Sequence, residues 1–510
     1  MTPPQVEVKP ADEFNKKLVE NAHPPDWTNP KPAGRYNLVV VGAGTAGLVA
    51  AAGAAILGAK VALVERHLMG GDCLNYGCVP SKALIRASRA AYAITEAREF
   101  GIEAAAPTIE FADVMRRVRR VRAEIAPHDS VQRFAGLGVE VFLGHGHFTG
   151  KRSLEVEGER LEFRKAIIAT GARAAVPPIP GLAEAGYLTN ETVFSLTALP
   201  RRLIVIGGGP IGCELAQAFA RLGSAVSLVS DVPRLLPKED ADVAALLEKQ
   251  FGGEGIELVL GAKVERAEKS AVGKILIVDS GQGKQTLVGD EILLAVGRTP
   301  NVEGLNLEAA GVQYDDKGVT VDDHLRTSNK NILAAGDIGS RFHFTHAAEA
   351  LGRIALQNAL FFGRKRASDL VIPWCTYTNP EIAHVGLNEA GLNEEEARKS
   401  GIEIETFTLP FAENDRGMVD GDTEGFARVH ASKKNGKVLG ATLVSRHAGE
   451  SIGELVMAIQ HGMKVGALGA VIHPYPTEAE IIKRLGDASQ RGRLKPWMKR
   501  TLIKTFQWRR

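Results

Sequence analysis

Two cysteines five residues apart are the side chains of this sequence best suited to chemistry. Cys73 and Cys78 lie in the segment GGDCLNYGCVPSK, which ends at Lys82. A zinc site would normally place further Cys or His ligands close by, and this segment has none, so a metal site is disfavoured. An inert structural pair and a redox-active pair remain as interpretations.

The residues after Cys78 favour the redox-active interpretation. Pro80 suits the first turn of a helix, which places Cys78 at the helix N-terminus, where the helix dipole stabilises a thiolate. Lys82 follows one turn later on the same face, so its ammonium group can share a site with that thiolate. Because thiol–disulfide exchange proceeds through thiolates, the sequence predicts a redox-active Cys73–Cys78 disulfide.

A second set of reactive side chains lies in the segment HPYPTEAE, which begins at His473. Thr477 followed three residues later by Glu480 forms a capping box, so we expect a helix with Glu478 in its first turn. Glu478 would then fold back towards His473 and orient its imidazole as a general base. A surface histidine that merely precedes a helix is the alternative.

The elements that must position these groups begin with a glycine-rich turn. A buried strand ending at Val41 runs into Gly42, Gly44 and Gly47, and a small-residue helix and a second strand then lead to Glu65. In such a βαβ unit the glycines let the backbone approach a pyrophosphate at the helix start, and the acid accepts the ribose hydroxyls. A tight structural turn would explain the glycines but not the whole arrangement.

The same unit recurs later in the chain. Gly207, Gly209 and Gly212 repeat the spacing, and 23 residues separate the first glycine from Glu65 in one copy and from Ser230 in the other. Two dinucleotide sites predict electron transfer between a resident flavin dinucleotide and an exchanging nicotinamide dinucleotide. In the second copy the acid, Asp231, comes one residue late, and we expect a slight preference for NAD over NADP.

Length and composition exclude several other classes of protein. A chain of 510 residues predicts several domains, and 62 Lys and Arg against 60 Asp and Glu leave no global basic field for nucleic acid. Four cysteines are too few for a secreted disulfide framework, and the first residues do not resemble a signal peptide. We therefore expect a cytoplasmic protein.

With these motifs in place, residues 36–490 resemble the FAD-dependent pyridine nucleotide–disulfide oxidoreductases, which include dihydrolipoamide dehydrogenase, mercuric reductase and glutathione reductase. The resemblance implies FAD as cofactor, NAD(P)H as co-substrate and a homodimer. It implies an α/β fold with two Rossmann-like dinucleotide-binding domains and a C-terminal α+β dimerisation domain. The expected ranges are 1–35 for an N-terminal arm, 36–186 for the first part of the FAD-binding domain, 187–306 for the NAD(P)-binding domain, 307–370 for the second FAD-binding part, 371–490 for the dimerisation domain and 491–510 for a basic tail.

The resemblance also implies roles for individual residues. Cys78 is the thiol that contacts the flavin and forms a charge-transfer complex, and Cys73 is the interchange thiol that meets the substrate. Lys82 lies near flavin N5 and pairs with Glu214. His473 is the base for the interchange thiol of the other subunit, with a cis bond to the following proline. Further cofactor contacts are implied at Gly71, Gly171, Gly297, Asp337, Thr345 and His346, and no metal ligand is expected.

These features favour dihydrolipoamide dehydrogenase-like chemistry on a small-molecule or protein disulfide or dithiol. The segment around Tyr475 looks closer to the mercuric reductase branch, but no cysteine follows Cys375, so the C-terminal cysteine pair of that branch is missing. Reduction of a metal ion or a quinone at the flavin is the alternative. A membrane-associated flavoprotein sensor or scaffold is the alternative of another class.

Residues 491–510 hold a local charge excess that the resemblance does not explain. They carry eight Lys and Arg and no acid, so the remaining residues are mildly acidic in total. Leu494, Met498, Leu502 and Phe506 recur every four residues, which is typical of a basic helix that lies on an anionic membrane. A helix packed on the dimer and a solvated tail are the alternatives.

Overall fold

The computed structural model of the chain describes residues 6–281, 283–361, 363–387, 403–492 and 496–510. Within these residues the chain divides into two units, one formed by Met1–Asp231 with Gly255–Leu370 and the other by Val232–Glu254 with Val371–Arg510. The expected apolar position Leu494 lies outside the described residues.

A parallel sheet forms the centre of the first unit, because its strands are apolar on both faces. Leu38 and Val40 are buried in the core on one side, and Val39 and Val41 in the core on the other, as the two-residue period of a strand requires. The parallel strands run in the order Val139–Leu143, Val61–Glu65, Tyr36–Val41, Glu159–Ile168 and Ile332–Ala334. An antiparallel extension from Glu159–Ile168 adds Ser153–Val156 and Gly146–Gly150.

A second parallel sheet in the same unit contains the repeat of the glycine-rich turn. Its strands run in the order Glu257–Leu260, Ala225–Ser230, Arg202–Ile206 and Glu291–Leu294. Smaller antiparallel pairings join Lys263–Ser270 to Gly273–Asp279 and Lys284–Gly289, Ala172–Ala174 to Arg298–Pro300, and Tyr314–Asp315 to Gly318–Val319. Both predicted βαβ units are therefore present.

Helices cover the faces of these sheets. In each repeat the turn leads directly into a helix, Thr45–Ile56 in the first and Pro210–Arg221 in the second. The other helices of the first unit are Glu13–Ala22, Gly71–Asn75, Cys78–Glu96, Phe111–Ile125, Val131–Gly136, Leu182–Ala185, Asn190–Val193, Leu307–Ala310 and Thr345–Leu360, with short 3₁₀ turns at Ala97–Phe100, Ala126–Asp129 and Ala367–Asp369.

The N-terminal residues are more ordered than the expected arm. Glu13–Ala22 is a helix whose first turn is capped by the Asp12 side chain, and its residues Leu18 and Ala22 are fully buried in the core of the first sheet. Asn29 exchanges two 2.8 Å hydrogen bonds with the main chain of Leu143. The high polarity of residues 1–35 concealed this helix, because only a narrow stripe of its surface is apolar.

The second unit contains an antiparallel sheet packed against helices. The strands run in the order Pro373–Thr376, Glu381–Gly386, Val438–Ser445, Phe426–Ser432 and Ile404–Pro410. One sheet face, with Ala383, Val429 and Leu443, is buried in a core that also takes residues from the helices Ala448–Gln460, Val465–Leu468 and Glu480–Gly492. In the described part of this unit the helices are Ala241–Gly253, Asp415–Asp420, Ala448–Gln460, Val465–Leu468, Glu480–Gly492 and Pro496–Trp508, with a 3₁₀ turn at Phe411–Glu413.

Candidate active site

The two glycine-rich turns have the same backbone geometry. Gly42 has φ +102°, and a methyl group there would lie 2.4 Å from the Ala169 carbonyl oxygen; Gly207 has φ +120°, with a corresponding distance of 2.3 Å to the Ala295 oxygen. At Gly47 and Gly212 a methyl group would lie 1.9 Å from the carbonyl oxygen of the first glycine of its turn. Because no side chain fits, each strand and helix pack closely and leave the helix start open to a ligand.

The first turn fits a dinucleotide. Gly44 caps the Thr45–Ile56 helix, and no described side chain makes a capping bond to the helix N–H groups there, which suits a pyrophosphate. Glu65 is nine-tenths buried and accepts hydrogen bonds from the main-chain N–H of Ala43 (2.7 Å) and His67 (2.8 Å). Burial raises the pKa of Glu65, while these bonds oppose the rise, and each oxygen keeps capacity for a ribose hydroxyl.

The second turn offers the same helix start with a different end to its second strand. Gly209 caps the Pro210–Arg221 helix without a side-chain capping bond from a described residue. Ser230 ends the strand and is buried, whereas Asp231 is exposed. The preference for NAD over NADP therefore stays a prediction.

The cysteine loop lies directly against the first turn. Cys73 is in the short Gly71–Asn75 helix, and Cys78 is the first residue of the Cys78–Glu96 helix, as the position of Pro80 predicted. Gly71 has φ +60°, and a methyl group there would lie 2.5 Å from the Gly44 Cα. The loop that holds the two thiols is therefore in backbone contact with the turn that would hold the dinucleotide.

The pKa values of the two thiols are shifted in opposite directions. A hydrogen bond from Cys73 lowers the pKa of Cys78 to about 6; burial opposes this change, and Thr345 and Lys82 lower the pKa further. The same hydrogen bond, together with burial, raises the pKa of Cys73 well above its usual range. The two sites titrate as a pair, so near neutral pH one proton is retained on Cys73 and the negative charge rests on Cys78.

Groups from the helix of Cys78 and from two other helices lie around this site. The Thr345 hydroxyl lies 3.2 Å from its sulfur. Lys82 Nζ is 2.6 Å from Glu214 Oε2, and the Glu214 side chain is only 7% exposed, so the helix of the second glycine-rich turn supplies the partner for the lysine of the cysteine helix. The ring of His346 stacks on Phe344 with centroids 5.4 Å apart.

An ion-pair chain that we did not predict links the cysteine loop to Asp337. Arg298 NH2 lies 3.4 Å from Asp72 Oδ2, and Arg298 Nε lies 3.6 Å from Asp337 Oδ2. Burial raises the pKa of Asp337, and Arg298 opposes the rise. Gly171 and Gly297, at the strand ends beside this chain, both have positive φ (+67° and +131°). The glycine-ended strands were visible in the sequence, but the pairing of Asp72 with a residue more than 200 positions away was not.

The second unit corrects the expected acid–base pair. His473 Nε2 is 3.0 Å from Glu454 Oε2, whereas Glu478 accepts hydrogen bonds from His447 Nδ1 (2.7 Å) and the Ser445 hydroxyl (2.8 Å). The expectation that Glu478 holds His473 is therefore wrong. The helix begins at Glu480, so Glu478 precedes it and turns its carboxylate towards the strand that ends at Ser445.

Two local details of the same segment also differ from expectation. The cis peptide bond lies between Tyr475 and Pro476, not between His473 and Pro474. The Thr477 hydroxyl donates to the Pro474 carbonyl oxygen (3.0 Å), where the capping box required it to accept from Glu480. The helix itself starts later in the chain than the spacing suggested.

Two negative findings apply to the described residues. None of their helices is long and apolar enough to cross a membrane. Their His, Cys, Asp and Glu side chains form no group of three or more that could hold a metal ion.

Comparisons with known proteins agree along nearly the whole chain. The pyridine nucleotide-disulphide oxidoreductase family model matches residues 36–352, and the model of that family's dimerisation domain matches residues 372–485. The chain is 35% identical over 449 residues to a mercuric reductase of Bacillus cereus, covering 88% of this chain and 70% of that protein. It is 36% identical over 467 residues to a dihydrolipoyl dehydrogenase of Thermus scotoductus, covering 89% and 97%.

Solved structures agree with the sequence relatives. The HOCl-induced flavoprotein disulfide reductase RclA of Escherichia coli superposes with a TM-score of 0.79 at 29% identity, over 89% of this chain and 99% of that one. LpdA of Mycobacterium tuberculosis superposes with a TM-score of 0.80 at 28% identity, with the same coverage.

We predict that Glu478→Gln lowers the pKa of His447, measured by NMR titration of its ring. The hydrogen bond that Glu478 accepts from His447 raises the His447 pKa. The same bond, together with the one from Ser445, holds the Glu478 pKa below its usual value despite burial. The pair therefore stabilises the fold between about pH 4.5 and 6.5 and contributes less as pH falls through the Glu478 pKa or rises through the His447 pKa.

The wild-type advantage in free energy of unfolding over Glu478→Gln should accordingly be largest near pH 5.5. Glu450→Gln, one turn into the following helix, is the control and should leave the His447 titration unchanged. An unchanged His447 pKa in Glu478→Gln would contradict the assigned contact.

Proposed function

The chain belongs to the pyridine nucleotide-disulphide oxidoreductase family, and from this premise we propose that Cys73 and Cys78 exchange electrons with a dithiol or disulfide substrate. It is a flavin-dependent disulfide oxidoreductase that uses FAD and NAD(P)H. Bound FAD supplies two-electron transfer between NAD(P)H and the dithiol. The observation that carries the proposal is the placement of the two thiols: their loop is in backbone contact with the first glycine-rich turn through Gly71, and Cys78 lies at a helix start 3.2 Å from the Thr345 hydroxyl.

The proposed exchange divides the work between the thiols. Cys73 loses its proton and attacks one sulfur of the substrate disulfide, which forms a mixed disulfide and releases one substrate thiol. The Cys78 thiolate then attacks the Cys73 sulfur, which forms the Cys73–Cys78 disulfide and releases the second thiol. Lys82, Thr345 and the helix N-terminus support the negative charge on Cys78 before this step. With a dithiol substrate the steps run in reverse.

We propose a homodimer in which His473 moves the proton of the partner's interchange thiol. The family's dimerisation domain covers this histidine, and the side chains of Ile472 and Tyr475 beside it are 93% and 71% exposed in the single chain. A second copy of this chain is the occupant that fits such a face. His473 would be oriented by Glu454, the carboxylate that it contacts. The His447–Glu478 pair is the other histidine–carboxylate pair against which this role can be tested.

A dithiol such as dihydrolipoamide is the leading candidate substrate, and a metal ion or a quinone reduced at the flavin is the second. One group of relatives is named for mercuric reduction, and RclA has been solved as a Cu(II) complex. The retained dithiol with its unequal thiols favours the first choice, since sulfur exchange needs both cysteines. A reducing cytoplasm is the proposed compartment, because thiols there remain free to turn over.

We also propose that the Pro496–Trp508 helix rests on anionic membrane. All its residues are at least partly exposed, including Trp497, Leu502, Phe506 and Trp508. Residues 496–510 carry five Lys and Arg and no acid, which complements an anionic lipid surface, and tryptophan is suited to the interface between water and lipid.

We predict a long-wavelength charge-transfer band when purified holoenzyme is titrated anaerobically with NADH or NADPH. Cys78→Ser should abolish the band, because the proposed donor thiolate is gone, whereas Cys73→Ser should retain it. Cys375→Ser, at a half-buried thiol of the second unit, is the control. Absence of the band in the wild type would refute the dithiol mechanism. If the band is present, turnover rates with lipoamide, glutathione disulfide, Hg(II) and quinones rank the candidate substrates.

We predict that His473→Gln lowers kcat/KM for dihydrolipoamide oxidation by about 100-fold or more, because a positioned base contributes about that much. His461→Gln, at an exposed histidine of the same unit, should have no effect. A large loss in His447→Gln with none in His473→Gln would instead assign the proton transfer to the His447–Glu478 pair.

We predict that the protein co-sediments with vesicles containing phosphatidylglycerol but not with pure phosphatidylcholine vesicles. Leu502→Glu combined with Phe506→Glu should abolish binding, because both the apolar face and the charge excess are weakened. Val272→Glu, at an apolar side chain in the first unit that is 63% exposed, is the control. Equal sedimentation of the double variant and the wild type would remove the membrane proposal.

A further inference from the structure

Asp72 is fixed at the start of the cysteine loop by neighbours on both sides. Its Oδ1 accepts a 2.8 Å hydrogen bond from the Asn190 amide, and its Oδ2 lies 3.4 Å from Arg298 NH2. Its main-chain oxygen accepts a 2.8 Å hydrogen bond from the N–H of Tyr76. The carboxylate is therefore held in one orientation next to Cys73.

The carboxylate also reaches the far end of the loop. A methyl group on Gly77, the residue before Cys78, would lie 2.9 Å from Asp72 Oδ2. The Asp72 side chain is 38% exposed in the single chain, so its charge acts on the surroundings of the adjacent Cys73 thiol. The carboxylate of Asp72 thus lies close to both ends of the segment between the two thiols.

The charges that face this loop do not neutralise Asp72. Lys82 is paired with Glu214 at 2.6 Å, and Arg298 is shared between Asp72 and Asp337. Arg122 also faces the loop, and its guanidinium donates to the Asn75 carbonyl oxygen (2.7 Å) and to the Asn15 side chain. Two carboxylates, those of Asp72 and Asp337, thus share the single positive charge of Arg298, and the Cys78 thiolate adds a further negative charge nearby. After the hydrogen bond to Cys78 and burial, Asp72 is among the groups that raise the pKa of the Cys73 thiol.

We propose that Asp72 sets the substrate charge preference of the dithiol, favouring neutral or cationic disulfides over anionic ones. The inference rests on the proposed function, because Cys73 must be the thiol that meets the substrate. A disulfide with amide or amine groups, such as lipoamide or cystamine, then approaches Cys73 without repulsion. Glutathione disulfide carries net negative charge at neutral pH, so the Asp72 carboxylate opposes its approach.

Two thiol reagents of similar size and opposite charge test the proposal without turnover. In the Cys78→Ser background, trimethylammonium-ethyl and sulfonato-ethyl methanethiosulfonate react with the Cys73 thiolate. Each forms a mixed disulfide on Cys73 and releases methanesulfinate, and mass spectrometry of the Cys73 peptide gives the two rates. Adding Asp72→Asn should lower the cation-to-anion rate ratio on the order of tenfold, since each unit charge loses an attraction or a repulsion at short range.

Matched variants separate charge from structure. Asp72→Glu keeps the charge and should retain the wild-type ratio. Glu191→Gln removes an exposed carboxylate from the neighbouring Asn190–Val193 turn and should change the ratio much less. A purely structural role would slow both reagents equally in Asp72→Asn, and an unchanged ratio would overturn the proposal.

Turnover supplies a second measurement in the wild-type cysteine background. Asp72→Asn should lower the ratio of kcat/KM for cystamine to that for glutathione disulfide, in the same direction as the reagent ratio. In the Asp72→Asn variant the pH profile of Cys73 alkylation should also shift to lower pH. The other charged groups that face the loop, Cys78, Lys82, Arg122, Glu214, Arg298 and Asp337, are unaltered in this variant. If the charge-transfer band is present but neither the reagent rate ratio nor the kcat/KM ratio changes, only the proposed role of Asp72 is refuted. If the band is absent in the wild type, the proposed function itself is refuted.

Discussion

The backbone contact between Gly71 and Gly44 is the constraint on which the rest of the site depends. A methyl group on Gly71 would lie 2.5 Å from the Gly44 Cα, so no side chain can separate the cysteine loop from the first glycine-rich turn. The turn that suits a pyrophosphate and the loop that holds two thiols are therefore parts of one rigid surface. Electron transfer between a dinucleotide and a dithiol requires this proximity, and backbone packing provides it without relying on flexible side chains.

The repeated glycine-rich turn shows how one backbone solution serves two sites. Gly42 and Gly207 approach the carbonyl oxygens of Ala169 and Ala295 at nearly equal distances, so both helices start at the same place relative to their strands. The copies differ at the end of the second strand, where the buried Glu65 carboxylate is replaced by the Ser230 hydroxyl. The second copy also contributes to chemistry at the first, since Glu214 on its helix contacts Lys82 of the cysteine helix.

The electrostatics of the dithiol come from several elements acting together. The helix start, Lys82 and Thr345 favour a thiolate at Cys78, while burial and the hydrogen bond to Cys78 keep the proton on Cys73. Arg298 joins the loop to Asp337 through Asp72. Unequal thiols are useful in exchange, because one must leave as a stable thiolate while the other waits for a base.

Local patterns in the sequence determined the α/β fold, both βαβ units and the helix that begins at Cys78, because these depend on neighbouring residues and on strand and helix periodicity. Tertiary structure alone decided which charged groups meet. Glu478 contacts His447, 31 positions earlier, and not His473, five positions earlier, and Asp72 contacts Arg298. A long side chain takes whichever partner the packed elements bring within about 3 Å, and spacing along the chain carries no information about that distance.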